Sequence, residues 1–288
     1  MRTLNQPKYT TMKKLFTLAA TVAVIATLFT ACKNNNGNNP TEPEKDGVYY
    51  AKDYVGQQWV TDSTRVGDEL TGAPHAYIYV KSETMVEING YEDEYSIEGN
   101  ILTLRPNDEY PMPLTILSAD KDHAKLSMPG FGGDDVPGIV YMTRVEEPQG
   151  NDLEVNMANI AGKWRMMFFI RTETYLDSNN QQHTSVLKHA EPGESLFDFR
   201  NDGTLTATNS LDAIWGAEPM TGWWELQGNK MAYATGSTEY PAVKPDQISD
   251  DSWSVVTKLT QNVMKLTYTQ TAQGGYSMSY MYYFVRKK

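Results

Sequence analysis

The clearest indication of the fold is one mostly apolar segment, Ile160-Ala161-Gly162-Lys163-Trp164-Arg165-Met166-Met167-Phe168-Phe169-Ile170. After Gly162 it is dominated by aromatic and large apolar side chains, which favour a pleated, half-buried strand. Similar runs occur at 76–80, 196–199 and 280–285, and they are separated by Gly, Asn, Asp and Pro. The helix signal is poor throughout the same region. The chain is therefore predicted to be all-β, with meandering antiparallel sheets or barrels.

The opening of this strand occurs twice, which indicates an internal repeat. Val55-Gly56-Gln57-Gln58-Trp59 parallels 160–164, although Gln57-Gln58 replaces Gly162-Lys163. Four further parallels follow in the same order: 77–79 with 197–199, 95–102 with 224–231, 117–127 with 259–267, and 141–144 with 283–286. The polar stretch 146–152, with Pro and Gly, separates the two copies. We therefore predict two domains, at 47–147 and 153–288.

Three short segments predict hairpins. Gly99-Asn100 and Gly228-Asn229 each lie between alternating apolar runs, and both residue types tolerate a positive φ. Asn201-Asp202-Gly203 is a looser signal of the same kind.

The N-terminus predicts export and lipid anchoring. Lys13 and Lys14 precede an uncharged run, 15–31, which is short for a membrane span of about 20 residues. Leu28-Phe29-Thr30-Ala31-Cys32 resembles the bacterial lipobox, with Phe29 in place of the usual Leu. We expect a signal peptide over 1–31, with Met12 as an alternative start, and acylation of Cys32. That lipid would hold the chain on the outer membrane, at its periplasmic face or at the cell surface.

The segment 32–46 contains no large apolar residue and is predicted to be a disordered tether. The remaining chain is strongly acidic, with 21 basic against 36 acidic residues once 1–31 are removed. This charge disfavours nucleic acid, which proteins bind through basic residues. Cys32 is the only cysteine, so no intramolecular disulfide is available and the fold depends on its core.

The second half resembles the lipocalin-like domains of Bacteroidetes lipoproteins. The resemblance covers about 130 residues and depends on these segments: 160–164, 197–204, 222–226, 259–266 and 283–286. It implies small up-and-down antiparallel β-barrels in tandem, without enzymatic activity. The first half joins this resemblance only through the internal repeat.

Motifs of common enzymes and metal sites are absent from the sequence. There is no Gly-x-Ser-x-Gly, no Walker loop and no Gly-x-Gly-x-x-Gly. His183 and His189 flank a polar loop and are interpreted as solvated. The segment beginning at Asp177 imitates a calcium loop, but Gln182 and Lys188 occupy positions that require Gly and Glu. We predict no catalytic residues, no metal and no cofactor.

Tryptophans are the remaining candidates for binding. Trp223 and Trp224 are adjacent, so on a strand they point to opposite faces. Trp224 shares a face with Leu226 and is predicted to look inward, which leaves Trp223 outside. Trp215 lies in a loop-like segment eight residues earlier, and the two rings, Trp215 and Trp223, are predicted to form a ligand-binding patch.

The sequence is compatible with two functions. The chain is either a non-catalytic binding lipoprotein for a small apolar molecule, a glycan or a protein, or a structural or assembly lipoprotein with side-chain-filled barrels. A hollow interior favours the first and a filled interior favours the second.

Overall fold

The structure, a computed structural model, describes residues 48–67, 69–71, 76–129, 137–177, 179–190, 195–208, 219–237, 241–249, 252–271 and 276–287. Within these ranges the chain forms eighteen strands, the short helix α1 at Met157–Ile160, and 3-10 turns at Ala51–Asp53 and Pro245–Gln247. The prediction of an all-β chain is confirmed. In the described part, no helix is long and apolar enough to cross a membrane.

The first copy of the repeat forms one sheet of nine strands. Its strands are β1 (Gln58–Val66), β2 (Glu69–Thr71), β3 (Tyr77–Val80), β4 (Met85–Ile88), β5 (Tyr91–Glu98), β6 (Ile101–Leu104), β7 (Met112–Ala119), β8 (His123–Met128) and β9 (Gly138–Arg144).

The second copy also forms a sheet of nine strands. They are β10 (Gly162–Leu176), β11 (Gln182–Ala190), β12 (Leu196–Phe199), β13 (Thr204–Thr208), β14 (Met220–Gln227), β15 (Lys230–Gly236), β16 (Ser254–Leu259), β17 (Val263–Thr271) and β18 (Ser277–Arg286).

Each sheet closes on itself as an antiparallel barrel of eight strands. In the first, β1 pairs with both β3 and β9, while β2 is an extra strand on the edge of β1. In the second, β10 pairs with both β12 and β18, and β11 takes the place of β2. Neighbours in sequence are neighbours in space around each ring, which is the predicted up-and-down order. The narrowest link is between β15 and β16, where only two residue pairs meet.

The two predicted tight hairpins are confirmed. Glu98 pairs with Ile101 across Gly99-Asn100, and Gln227 pairs with Lys230 across Gly228-Asn229. The glycines have φ values of 63° and 62°, and neither asparagine has a positive φ. A positive φ at the first central position alone fits a type II′ turn, for which glycine is the preferred residue.

The two barrels have β-bulges at matching positions as well as matching strands. The pairing of β1 with β9 shifts between Thr61 and Ser63, and that of β10 with β18 shifts between Met166 and Phe168. Counted from Trp59 and Trp164, these bulges occupy the same position. A second matching pair lies between 116 and 118 in β7 and between 256 and 258 in β16. Since bulges are positional features of a fold, they support the repeat independently of sequence similarity.

Trp164 forms the floor of the second barrel. It is fully buried, and its Nε1 donates to the carbonyl oxygen of Ile160 at 2.7 Å. The guanidinium of Arg286 lies 4.2 Å from the ring centroid and donates to the carbonyls of Ala161 and Asn159. The indole therefore joins the start of β10 to the end of β18. Trp59 holds the equivalent place in the first barrel and is 4% exposed.

The outer faces of the two barrels pack on each other. Phe168 lies between Tyr77 and Tyr283, with ring centroids at 4.8 and 4.9 Å. The buried cluster around them combines residues of both copies, including Val60 from the first and Met167 from the second. The bulge in β10 explains the contact, because one extra residue lets both Met167 and Phe168 leave the barrel interior.

Ion pairs cross the same interface. Arg165, which is 5% exposed, bonds to Asp62, and Asp62 also accepts from Thr143. Lys188 contacts Glu87 at 2.5 Å. Asp62 is the extra residue of the β1 bulge, as Met167 is in β10, so the equivalent bulge positions of the two copies carry different side chains.

The segment between the barrels lies against the second one. Asn262 donates to the Glu146 carboxylate at 3.0 Å and to the Glu147 carbonyl at 3.1 Å, and it accepts from the Gln149 N–H at 2.8 Å. Asp152 contacts Lys258 at 2.6 Å. The polar composition that indicated a boundary thus serves to bind the connection to the loop between β16 and β17.

Candidate functional site

The inner face of the second barrel is fully buried at one end and partly exposed at the other. At the floor, Trp164, Phe199 and Phe284 are at most 1% exposed. Further along β18, at every second residue, come Tyr282 and then Tyr280, and both are half-buried. Because alternate residues of a strand share a face, these tyrosines line the same interior as Phe284. The far half of the barrel is therefore accessible to solvent.

Aromatic rings surround this accessible half, which we call the aromatic mouth. Tyr280 and Tyr282 stack at 5.9 Å, and Phe169 of β10 lies 6.0 and 6.2 Å from them. His189 stacks on the other side of this group, 5.0 Å from Phe169. The mouth consists of these residues: Phe169, His189, Phe197, Tyr233, Tyr268, Tyr280 and Tyr282.

A charged pair lies at the outer rim of the aromatic mouth. Arg171 and Glu173 follow Phe169 at intervals of two on β10 and so share its face. The Arg171 Nε is 3.2 Å from the Glu173 carboxylate. Both side chains are partly exposed, at 38% and 26%. A ligand entering the mouth would meet one fixed cation and one fixed anion above an apolar wall.

The hydroxyl groups of the mouth are available for hydrogen bonding. The hydroxyls of Tyr233, Tyr280 and Tyr282 form no hydrogen bond with any residue in the described part of the chain. Burial, reinforced by the neighbouring Tyr282, raises the pKa of Tyr233, and burial also raises that of Tyr282. A phenolic hydroxyl can donate as well as accept a hydrogen bond.

The first barrel offers a contrast. Its inner cluster is mostly aliphatic and is formed by these buried residues: Trp59, Val80, Val86, Tyr95, Leu114, Ile116, Leu126, Met128, Val140 and Met142. The hydroxyl of Tyr95 donates to the Ser82 carbonyl at 2.9 Å. Burial raises the pKa of Tyr95 to about 12. The Tyr95 hydroxyl thus has a hydrogen-bond partner, whereas the hydroxyls of Tyr233, Tyr280 and Tyr282 have none in the described part of the chain.

Of the three residues predicted to form functional sites, only Trp223 lies among the described residues. Cys32 and Trp215 lie outside the described residues. Trp224 is 1% exposed and packs in the inner cluster beside Leu226, so the predicted alternation with Trp223 is confirmed.

Trp223 lies on the outer wall of the second barrel and is half-buried. Its Nε1 donates to the carbonyl of Val243, in the segment 241–249 that crosses this wall. Beside it is an open groove of about 620 Å³ between the wall and that segment. Residues of β13 and β14 line one side of the groove, and among them Thr204, Thr206 and Thr221 are polar.

No group of three or more potential metal ligands occurs among the residues that the structure describes. His183, weighed as a metal ligand from the sequence, contacts the Asp177 carboxylate at 3.0 Å and stacks on Tyr175 at 5.5 Å. Hydrogen bonds from His183 and from the backbone lower the pKa of Asp177. The calcium-like segment is therefore a hairpin turn that Asp177 stabilises.

Comparisons with known proteins identify no family. No protein-family model matches the chain, and no curated protein matches it. One similar solved structure is a protein with unknown function from the DUF3598 family of Nostoc punctiforme PCC 73102. It is 8% identical, with 83% of this chain and 99% of that chain covered and a TM-score of 0.20. A similarity at this level supports no argument about function.

The aromatic mouth was missed by the sequence reasoning, which concentrated on tryptophan. The signal was present in Tyr280-Met281-Tyr282, where alternate tyrosines continue the inner face beyond Phe284. Its partner residues on β10 and β17 could not be assigned, because strand register is not visible in one sequence.

Proposed function

We propose that this chain is a non-catalytic, lipid-anchored envelope protein whose second barrel binds a small, largely apolar molecule. One observation supports the proposal above others: the aromatic side chains that face the interior of the second barrel beyond its floor are only partly buried. Ligand sites are typically concave and apolar, with a few fixed polar groups. The aromatic mouth has this composition, with Arg171 and Glu173 at its rim.

The aliphatic packing of the first barrel suits a different role. Its inner cluster has the composition of an ordinary core, and its outer wall carries half of the interface with the second barrel. In this proposal the first barrel supports the second and sets its distance from the membrane. An envelope protein in which both barrels are purely structural is the alternative.

Probe binding distinguishes the two functions. We expect the chain from Lys33 onward to bind anilinonaphthalene sulfonate, an apolar anion, with increased fluorescence. Phe169→Ala and Tyr280→Ala should each weaken binding about fivefold, since one aromatic contact contributes roughly 1 kcal/mol. Tyr110→Ala, at a residue that is 75% exposed, is the control and should bind normally. Absence of binding by a folded chain would favour the structural alternative.

Lipid anchoring is tested separately. We expect Cys32→Ser to leave the membrane fraction or to retain its signal peptide, because the acyl chains alone would hold the protein on the bilayer. Fractionation and the mass of the mature N-terminus measure this. Lipidation would be disproved by a Cys32→Ser protein that is processed and still membrane-bound.

A further inference from the structure

Trp223 is placed as a rigid platform on the outer wall of the second barrel. Strand pairing sets it opposite Thr204 on one side and Ala234 on the other. The hydrogen bond from Nε1 to the Val243 carbonyl holds the edge of the indole. A ring fixed in this way loses little conformational freedom on binding, which favours affinity for a flat partner.

Hydroxyl groups surround this platform. Thr206 and Thr221 face each other across β13 and β14, on the same outer face as Trp223, and both line the groove. Neither side chain forms a hydrogen bond with any residue that the structure describes. Hydroxyls can donate and accept, so they suit a ligand that itself carries many hydroxyl groups.

Charged groups of both signs lie at one end of the groove. Asp202 accepts from the N–H and the hydroxyl of Thr204, at 2.9 and 2.6 Å, and these bonds lower its pKa. Arg200 also lines the groove, with its Nε 3.6 Å from the Asp198 carboxylate. Since cation and anion lie side by side, the groove favours neither a charged anion nor a cation.

We propose that this groove, defined by Trp223, Thr206, Thr221, Asp202 and Arg200, binds an uncharged pyranose unit of a saccharide. The volume of about 620 Å³ is within the range of small-molecule sites and exceeds a single sugar ring. A ring with equatorial hydroxyls presents a flat C–H face to the indole and its hydroxyls to the groove edge. The negative face of an aromatic ring attracts such C–H groups.

The site is separate from the aromatic mouth. Trp223 points out of the wall that Trp224 and Tyr233 line from within. Occupation of the groove therefore does not depend on the proposed apolar ligand, and the two sites can be tested independently.

The test uses the whole mature chain from Cys32, in a detergent without a sugar headgroup. Cellotriose is the probe, and its saturation-transfer NMR signal and binding heat are measured. We expect dissociation constants of about 0.1–1 mM, as for one stacked ring with a few hydrogen bonds. Trp223→Ala should weaken binding at least tenfold, and Trp223→Phe should retain part of it.

Two controls make the result specific. Tyr280→Ala, in the aromatic mouth, should bind cellotriose normally, and Trp223→Ala should bind anilinonaphthalene sulfonate normally. The proposal is overturned if the folded parent chain gives no signal with cellotriose at about 10 times the expected dissociation constant. It is also overturned if Trp223→Ala binds the sugar as the parent does. If the parent chain binds cellotriose but not anilinonaphthalene sulfonate, the apolar site is refuted and the saccharide site is retained.

Discussion

Replacing Trp164 with alanine is expected to lower the free energy of unfolding by about 3–5 kcal/mol, as for other buried tryptophans. The indole is fully buried, and its loss would leave a cavity at the floor of the second barrel. It would also remove the partner of the Arg286 guanidinium, 4.2 Å from the ring. The closing contact between β10 and β18 is therefore weakened along with the core.

Chemical denaturation, followed by far-ultraviolet circular dichroism, measures this effect. Tyr110→Ala is the matched control, since this aromatic residue is 75% exposed and should change stability little. Trp59→Ala tests the equivalent position of the first barrel and should have a similar cost. An unaltered Trp164→Ala protein would mean that the ring does not support the barrel.

Replacing Arg165 with alanine is expected to cost about 3–5 kcal/mol, as when one partner of a buried ion pair is removed. The Arg165 side chain is 6% exposed and that of Asp62 is 22% exposed. The variant would leave the Asp62 carboxylate between the barrels without its cation. The double variant Asp62→Asn, Arg165→Met should recover part of the loss, because no uncompensated charge then remains.

A double-mutant cycle separates this interaction from simple loss of packing. Asp122→Asn serves as the control, since Asp122 contacts Lys121 on the surface at 3.5 Å and both are well exposed. Exposed pairs contribute little, so its melting temperature should hardly change. Strict additivity, in which the double variant loses as much stability as the Asp62→Asn and Arg165→Met single variants together, would contradict a coupling between Asp62 and Arg165.

Local features of the fold were predictable from single segments. Gly99-Asn100 and Gly228-Asn229 require particular φ values, so residue type alone indicated their hairpins. The adjacency of Trp223 and Trp224 fixed opposite faces through strand alternation. Trp164 opens the most apolar strand of the chain, a position that favours the core, and it is fully buried.

Features that depend on distant pairing were not predictable. Asp62 and Arg165 are 103 residues apart, and nothing near either residue indicates the other. The bulge that turns Met167 and Phe168 outward is also invisible in the sequence, where the run looks like one continuous core strand. The aromatic mouth requires the register of β10, β17 and β18, which one sequence does not contain.

The matching bulges make the interface between the two barrels resemble the interface of a homodimer. Asp62 of the first copy bonds to Arg165 of the second, and Val60 and Met167 belong to one buried cluster, so the same two repeat positions contribute from each side, as they do in a two-fold homodimer. This is the arrangement expected when the two subunits of a homodimer are joined in one chain. A short connection between subunits makes their association intramolecular, at effective concentrations of roughly millimolar. Once exchange with other copies is suppressed, the two barrels are free to diverge in their inner faces, which are mostly aliphatic in the first barrel and rich in aromatic rings in the second.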